Sequence, residues 1–309
     1  MTRQAGALRG VIGAVLTPFT SSGSVDEVRL GGELDLLVEH CDALSVLAAE
    51  ASEYRALSPA SRRRTLVAAI ERIGRRSLVL AGATAGSLSE TAELAELAAA
   101  HGADFIQVLI PRRTWGGDPS PDELVGWTNA LVEASPLPVV LYHNPGHGAD
   151  PSLETLIEMC AVPGVVALKD SSRNIARVLR AVEEIHHAGH AAYFATIQPL
   201  LSVLLSGGAG AMTPPPATLL AASIRDAVAD GDLRRATDLQ RNAATFPVRW
   251  SARYGLVPVM KAAGNELGYD LGDPAPPFFA VAEDDRRAIV ASVAAWPRVT
   301  AAGTATGRA

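Results

Sequence analysis

Eight short apolar runs, each followed by an amphipathic stretch, succeed one another along 309 residues without an intervening linker, and this alternation predicts a single (β/α)8 barrel. The runs are apolar at nearly every position instead of alternating, which is the pattern of parallel strands buried on both faces. The length agrees, because α/β barrels need more than about 200 residues.

The first run, Val11–Leu16, leads into a helical stretch over Val25–His40, and the second run is Leu44–Ala48. Ser58-Pro59 reads as an N-cap with proline at the first helical position; it opens a helix over Pro59–Ile73 that Gly74 closes. Leu78–Ala81 is the third run, after which Ser89-Glu90-Thr91-Ala92-Glu93 opens a helix that reaches His101 and stops at Gly102. Phe105–Ile110 pairs with a helix over Asp122–Ala134, and Val139–Tyr142 with one over Ser152–Met159. Val165–Lys169 precedes Ile175–His187, Ala192–Ala195 precedes Pro199–Leu205, and Ala209–Thr213 precedes Ala217–Asp230. Residues 1–230 are therefore expected to form the barrel. Helical stretches over Leu233–Tyr254, Val257–Leu267 and Asp284–Ala295 predict a C-terminal helical extension across 231–300, and the Ala/Gly/Thr-rich residues 301–309 predict a disordered tail.

A net charge of −6 argues against nucleic acid or an anionic membrane as partner, since both need a basic surface. No apolar run approaches the roughly 18 residues of a membrane span. Cys41 and Cys160 lack metal-ligand spacing and make no disulfide framework, so a reducing cytoplasm is the expected setting. Of 27 basic residues only Lys169 and Lys261 are lysine. Where arginine is so favoured, a retained lysine is a candidate for chemistry, because lysine can release its proton and arginine cannot.

Barrel chemistry sits in the loops after the strands. Lys169 ends the apolar run Val165-Val166-Ala167-Leu168, where desolvation of an ammonium is costly; burial there favours a neutral amine able to attack a carbonyl. Tyr142 ends the preceding strand, and a phenol beside such an amine can donate and accept the protons that imine chemistry moves. Singly, each residue reads as readily as a snorkelling rim lysine, or one paired with Asp170, and as a packed aromatic. The pair is what points to chemistry.

Taken in order, Thr17-Pro18-Phe19, Glu53 with Leu57-Ser58, Tyr142-x-Asn144-Pro145, Leu168-Lys169-Asp170-Ser171-Ser172 and Gly207-Gly208-Ala209-Gly210-Ala211 resemble the dihydrodipicolinate synthase/N-acetylneuraminate lyase superfamily. The likeness runs from about Gly10 to about Leu267, with Val257-Pro258-Val259-Met260-Lys261 similar to its C-terminal helix. It implies a class I, Schiff-base aldolase-type lyase acting on a 2-oxo acid such as pyruvate or a 2-keto-3-deoxy sugar acid. It further implies no metal or organic cofactor, and a homo-oligomer, tetramer or dimer. Lys169 would form the imine, Tyr142 would shuttle protons and Lys261 would be structural. Ala51, Ser52, Thr196, Met212 and Thr213 would line the substrate.

The departures point away from the synthase reaction. The family's Gly-Thr-Thr-Gly-Glu is here Ala49-Glu50-Ala51-Ser52-Glu53, Pro111-Arg112-Arg113 stands where a tyrosine follows the fourth strand, and Gly146-His147-Gly148 replaces an arginine-bearing loop. Glu50 is a candidate general base, or a partner of Arg112 or Arg113; the arginines are candidate carboxylate ligands or solvated loop residues. His147 can bond a polar substrate tail or face water. Two other readings stand beside this one: a metal-dependent lyase with Glu50, His143 and His147 as ligands, and a catalytically degenerate barrel that binds a metabolite. Ile185-His186-His187-x-x-His190 resembles a metal motif only in text, since it falls at a helix end on the structural side of the barrel.

Overall fold

A computed structural model describes residues 8–48, 50–245 and 248–299. Eight parallel strands close in chain order: β1 (Gly10–Ala14), β2 (Ala43–Val46), β3 (Leu78–Gly82), β4 (Phe105–Leu109), β5 (Val139–His143), β6 (Val165–Asp170), β7 (Ala192–Ala195) and β8 (Gly210–Thr213), with β8 pairing back onto β1. Each lies within two residues of its predicted run, because a strand buried on both faces announces itself as continuous apolar sequence. The surrounding helices are α1 (Glu27–Val38), α2 (Pro59–Ile73), α3 (Leu88–Ala100), α4 (Pro121–Ala134), α5 (Leu153–Cys160), α6 (Ile175–Ala181), α7 (Leu200–Leu205) and α8 (Pro215–Ala229).

Two apolar layers hold the barrel. Ile12, Leu80, Phe105, Val140, Tyr142, Ala167, Phe194 and Met212 fill the interior, and the opposite faces of the same strands pack against the helices. Helix entries are set by side-chain caps: Ser58 accepts from the backbone N–H of Ser61 at 3.2 Å, as its position before Pro59 predicts. Removing that acceptor in Ser58→Ala should cost about 1 kcal/mol, read as a lower urea midpoint at unchanged slope; an unchanged midpoint would show that water replaces the cap fully. The α3 helix starts one residue earlier than expected, at Leu88, and its cap is Ser87, which accepts from Glu90 N–H at 3.2 Å. The predicted Ile175–His187 helix is α-helical to Ala181 and then continues as a π-helical turn over Val182–His187.

Beyond α8 lie α9 (Leu233–Thr245), α10 (Val248–Tyr254), α11 (Leu256–Glu266) and α12 (Glu283–Ser292). The stretch expected as one helix over Leu233–Tyr254 is thus described as two. Residues 301–309, expected to be disordered, lie outside those described. No helix among the described residues is long and apolar enough to cross a membrane. Helix α11 reaches back to the active-site rim through Lys261, which is 1% exposed. Its ammonium donates to Thr17 O at 2.7 Å and Asp273 O at 2.8 Å and pairs with Glu53 at 2.7 Å, while Glu53 accepts from Ala275 N–H at 2.7 Å. This brace fixes the loops after β1 and β2 against the C-terminal extension.

Candidate active site

The loop after β2 begins with a 3-10 turn over Glu50–Ser52, and Thr17 donates its hydroxyl to Ser52 O at 2.5 Å. It can sit tight against β3 because residue 82 is glycine; a Cβ there would lie 2.0 Å from Leu47 O. Gly148 acts likewise after β5, where a Cβ would come within 2.4 Å of Ile110 O.

Strand register puts the two central residues together. Tyr142 on β5 is the Cα partner of Lys169 on β6, and Lys169 is the partner of Phe194 on β7. Tyr142, Ala167 and Phe194 belong to the interior layer, so the strand period of two turns Lys169 inward as well. Lys169 is 4% exposed and donates to the Asp170 carbonyl at 3.3 Å. Burial lowers its ammonium to about 7 and Arg173 acts in the same direction, while the neighbouring Asp170 carboxylate opposes them. Burial pushes the Tyr142 phenol well above its ordinary range, Glu50 adds to this, and hydrogen bonds with Ser171 and Asn144 oppose it. Asn144 donates to the Tyr142 oxygen at 2.7 Å. The site therefore offers an amine close to neutrality beside a phenol that keeps its proton.

Glu50 lies at the edge of this pair, near enough to act on the phenol's charge. Its carboxylate accepts from Tyr54 Oη at 3.0 Å and from Arg55 Nε at 3.2 Å. The Tyr54 ring in turn lies against the buried Arg62, whose guanidinium sits 4.7 Å from the ring centroid and donates to Gly82 O at 3.1 Å. The alternative reading, in which Glu50 pairs with Arg112 or Arg113, is not what the chain forms. Arg112 pairs with Asp118 at 3.1 Å and Arg113 with Glu123 at 2.6 Å, acids of their own loop and of the next helix that out-compete a glutamate on another strand.

The remaining predicted positions are distributed as follows. Ala51, Ser52, Thr196, Met212 and Thr213 are buried at strand ends or just beyond them, and the Thr196 hydroxyl has no protein partner among the described residues. His147 is exposed on the β5 loop. His143 is not beside Glu50 and His147 as a metal site would require. It is fully buried on the outside of the strands, with its ring nitrogens 2.8 Å from Asp170 and 3.0 Å from Asp150. Sequence reasoning missed Arg173, which follows Lys169-Asp170-Ser171-Ser172 with φ of 57° and acts electrostatically on both Lys169 and Tyr142. Its position in a strand-end loop four residues beyond the lysine was the available signal.

A family model described as the dihydrodipicolinate synthetase family matches residues 7–296. The chain belongs to this family. Among curated relatives, 4-hydroxy-tetrahydrodipicolinate synthase 1 of Streptomyces coelicolor is 31% identical, covering 93% of each chain. The 4-hydroxy-tetrahydrodipicolinate synthase of Parasynechococcus marenigrum is 30% identical over 92% of this chain and 94% of that one. Among solved structures, YagE, a prophage protein of the dihydrodipicolinic acid synthase family from E. coli K12 in complex with pyruvate, superposes with a TM-score of 0.84 at 24% identity, covering 93% of this chain and 97% of that one. Family membership and the synthase relatives support an enzyme of the pyruvate-dependent lyase and aldolase kind, and identities near 30% mark a divergent member.

Proposed function

We propose that this family member is a Schiff-base lyase for a 2-oxo acid, pyruvate or a 2-keto-3-deoxy sugar acid, and not a dihydrodipicolinate producer. The observation that carries the reading is the buried, readily deprotonated Lys169 in register with Tyr142. The neutral amine attacks the C2 carbonyl, Tyr142 donates a proton to the oxygen, and water leaves to give an iminium. That cation withdraws electrons from the bond beyond C3, so a C–C or C–O bond can break when a base accepts a proton from the substrate. After C–C cleavage an aldehyde departs and the enamine takes a proton at C3. In C–O cleavage the base removes the C3 proton and the C4 hydroxyl leaves, once protonated, as water to give an unsaturated iminium. In either case water hydrolyses the imine to restore the amine. The turn at Ala51 and Ser52 and the Arg173 guanidinium supply the carboxylate's partners, with Thr196, Met212 and Thr213 lining the other wall. Arg112 and Arg113, tied to their own acids, contribute less, and His147 meets the distal end of a longer substrate. A dimer or tetramer in a cytoplasmic setting belongs to the same proposal.

Glu50 replaces a threonine of the family pattern and is the base this reading assigns to a substrate hydroxyl. Glu50→Gln keeps the shape and removes the proton acceptor, so turnover of a hydroxylated substrate should fall by about 10-fold to 100-fold while imine trapping of pyruvate persists. Wild-type turnover in this variant would make Glu50 a partner of Tyr54 and Arg55 only.

The reading as a whole is tested by adding borohydride with each member of a 2-oxo acid panel across pH. Trapping should rise with pH through about 7 as Lys169 sheds its proton, and activity should survive EDTA. No adduct with any member would end the Schiff-base reading, and EDTA inactivation reversed by zinc would favour a metal-dependent reaction instead.

A further inference from the structure

On the outer side of β5, β6 and β7 the chain buries a second group of charges that the imine chemistry does not touch. Strand alternation sends Tyr142 and Lys169 into the barrel and their neighbours His143 and Asp170 outward, where the latter two are again register partners. Asp170 Oδ1 lies 2.8 Å from His143 Nδ1 and accepts from Ser172 N–H at 2.8 Å. Its Oδ2 accepts from Ser172 Oγ at 2.9 Å and Tyr193 Oη at 2.8 Å. Burial alone would raise this carboxyl, but the hydrogen bonds from His143, Ser172 and Tyr193 outweigh it and hold the group ionised. The other ring nitrogen, Nε2, lies 3.0 Å from Oδ1 of Asp150, whose side chain is 53% exposed. A neutral imidazole donates from one nitrogen only, and an ionised carboxylate only accepts. Both contacts are hydrogen bonds when both ring nitrogens carry protons.

We propose that His143 is a positioning residue held as an imidazolium between Asp170 and Asp150, and that its charge neutralises Asp170 so that Lys169, on the opposite face of the same strand end, can act as a neutral amine. This rests on Lys169 being the imine-forming lysine. An unpaired Asp170 carboxylate one residue away would stabilise the ammonium; paired with a cation it presents a nearly neutral couple. The other charged and titratable groups around the pair are Tyr193 on β7, Cys160 on α5, Arg177 on α6, and Tyr142 and Arg173 at the strand mouth. Of these, only Arg173 and Arg177 are cationic. Arg173 is exposed, and Arg177 donates to Pro151 O at 2.8 Å, so neither replaces His143 at Asp170.

The test uses the chain's two lysines and needs no 2-oxo acid. Acetic anhydride labels neutral amines, and peptide mapping separates Lys169 from Lys261, so the pH midpoint of Lys169 labelling can be read with Lys261 as internal control. In His143→Gln, which keeps a hydrogen-bonding side chain but no cation, that midpoint should move up by about one pH unit or more, because an opposite charge within about 4–6 Å is lost from Asp170. A merely structural histidine would change stability and leave the midpoint in place, and a folded variant with an unmoved midpoint overturns the proposal. Nitrogen-15 spectra of the wild-type enzyme near pH 7 give a second reading that requires no variant. Two protonated ring nitrogens on His143 are expected, and one unprotonated nitrogen overturns the proposal. Failure of the Schiff-base reading itself would appear separately, as absent borohydride adducts.

Discussion

Lys169→Met should lose turnover by on the order of 10⁴-fold or more and at the same time stabilise the protein. The loss follows from removing the amine that forms the imine, and effects of that order accompany removal of a covalent catalyst. The gain follows from linkage. The folded enzyme holds the Lys169 ammonium at about 7, against an ordinary value of about 10.5. The unfolded chain therefore binds more protons between those two values. Wild-type stability should accordingly rise with pH from 7 to 10.5, and the full penalty, on the order of 4–5 kcal/mol, applies below 7. Methionine fills nearly the same volume with no ammonium to desolvate. Its advantage in urea melts should be largest at neutral pH and should vanish above pH 10.5. A variant no more stable than wild type at pH 7 would show that Lys169 is solvated or paired.

Tyr142→Phe should slow turnover by roughly 10²-fold or more while imine formation continues slowly, since one general acid–base group contributes about that factor. The phenol, pushed above its ordinary range by burial, enters the cycle protonated, so its first act is donation to the departing carbonyl oxygen. Deletion of the hydroxyl leaves Asn144, its donor at 2.7 Å, without that acceptor, but Asn144 is only half-buried and water can replace the bond. The measured contrast is single-turnover trapping against steady-state rate. An unchanged steady-state rate would make the hydroxyl a packing feature.

Much of this arrangement was legible from residue order. A strand such as Val165–Asp170, apolar until its last two residues, states both its burial and the position of its active end. The register that places Tyr142 against Lys169 follows from two consecutive strands ending on the same side of a closed barrel. The outer network was less visible, although the same alternation implies it: if Tyr142 and Lys169 face inward, His143 and Asp170 face out. Tyr193, which completes that network, sits inside an apolar run and carries no signal of its hydroxyl's partner. Local competition decided the polar loops. Arg112 and Arg113 are paired with Asp118 and Glu123, and Glu50 with Arg55 while it accepts from Tyr54, all from nearby positions in the chain; charge type alone does not reveal which acid lies within reach.

The central claim, that Lys169 forms the imine, is tested most directly by reducing the enzyme with borohydride in the presence of pyruvate or a larger 2-oxo acid and mapping the adduct. With only two lysines in the chain, a single digest assigns it. One reduced adduct on the peptide containing Lys169, and none on the peptide containing Lys261, is the expected result. An adduct confined to Lys261, or an unmodified protein across the whole panel of oxo acids, would contradict the account.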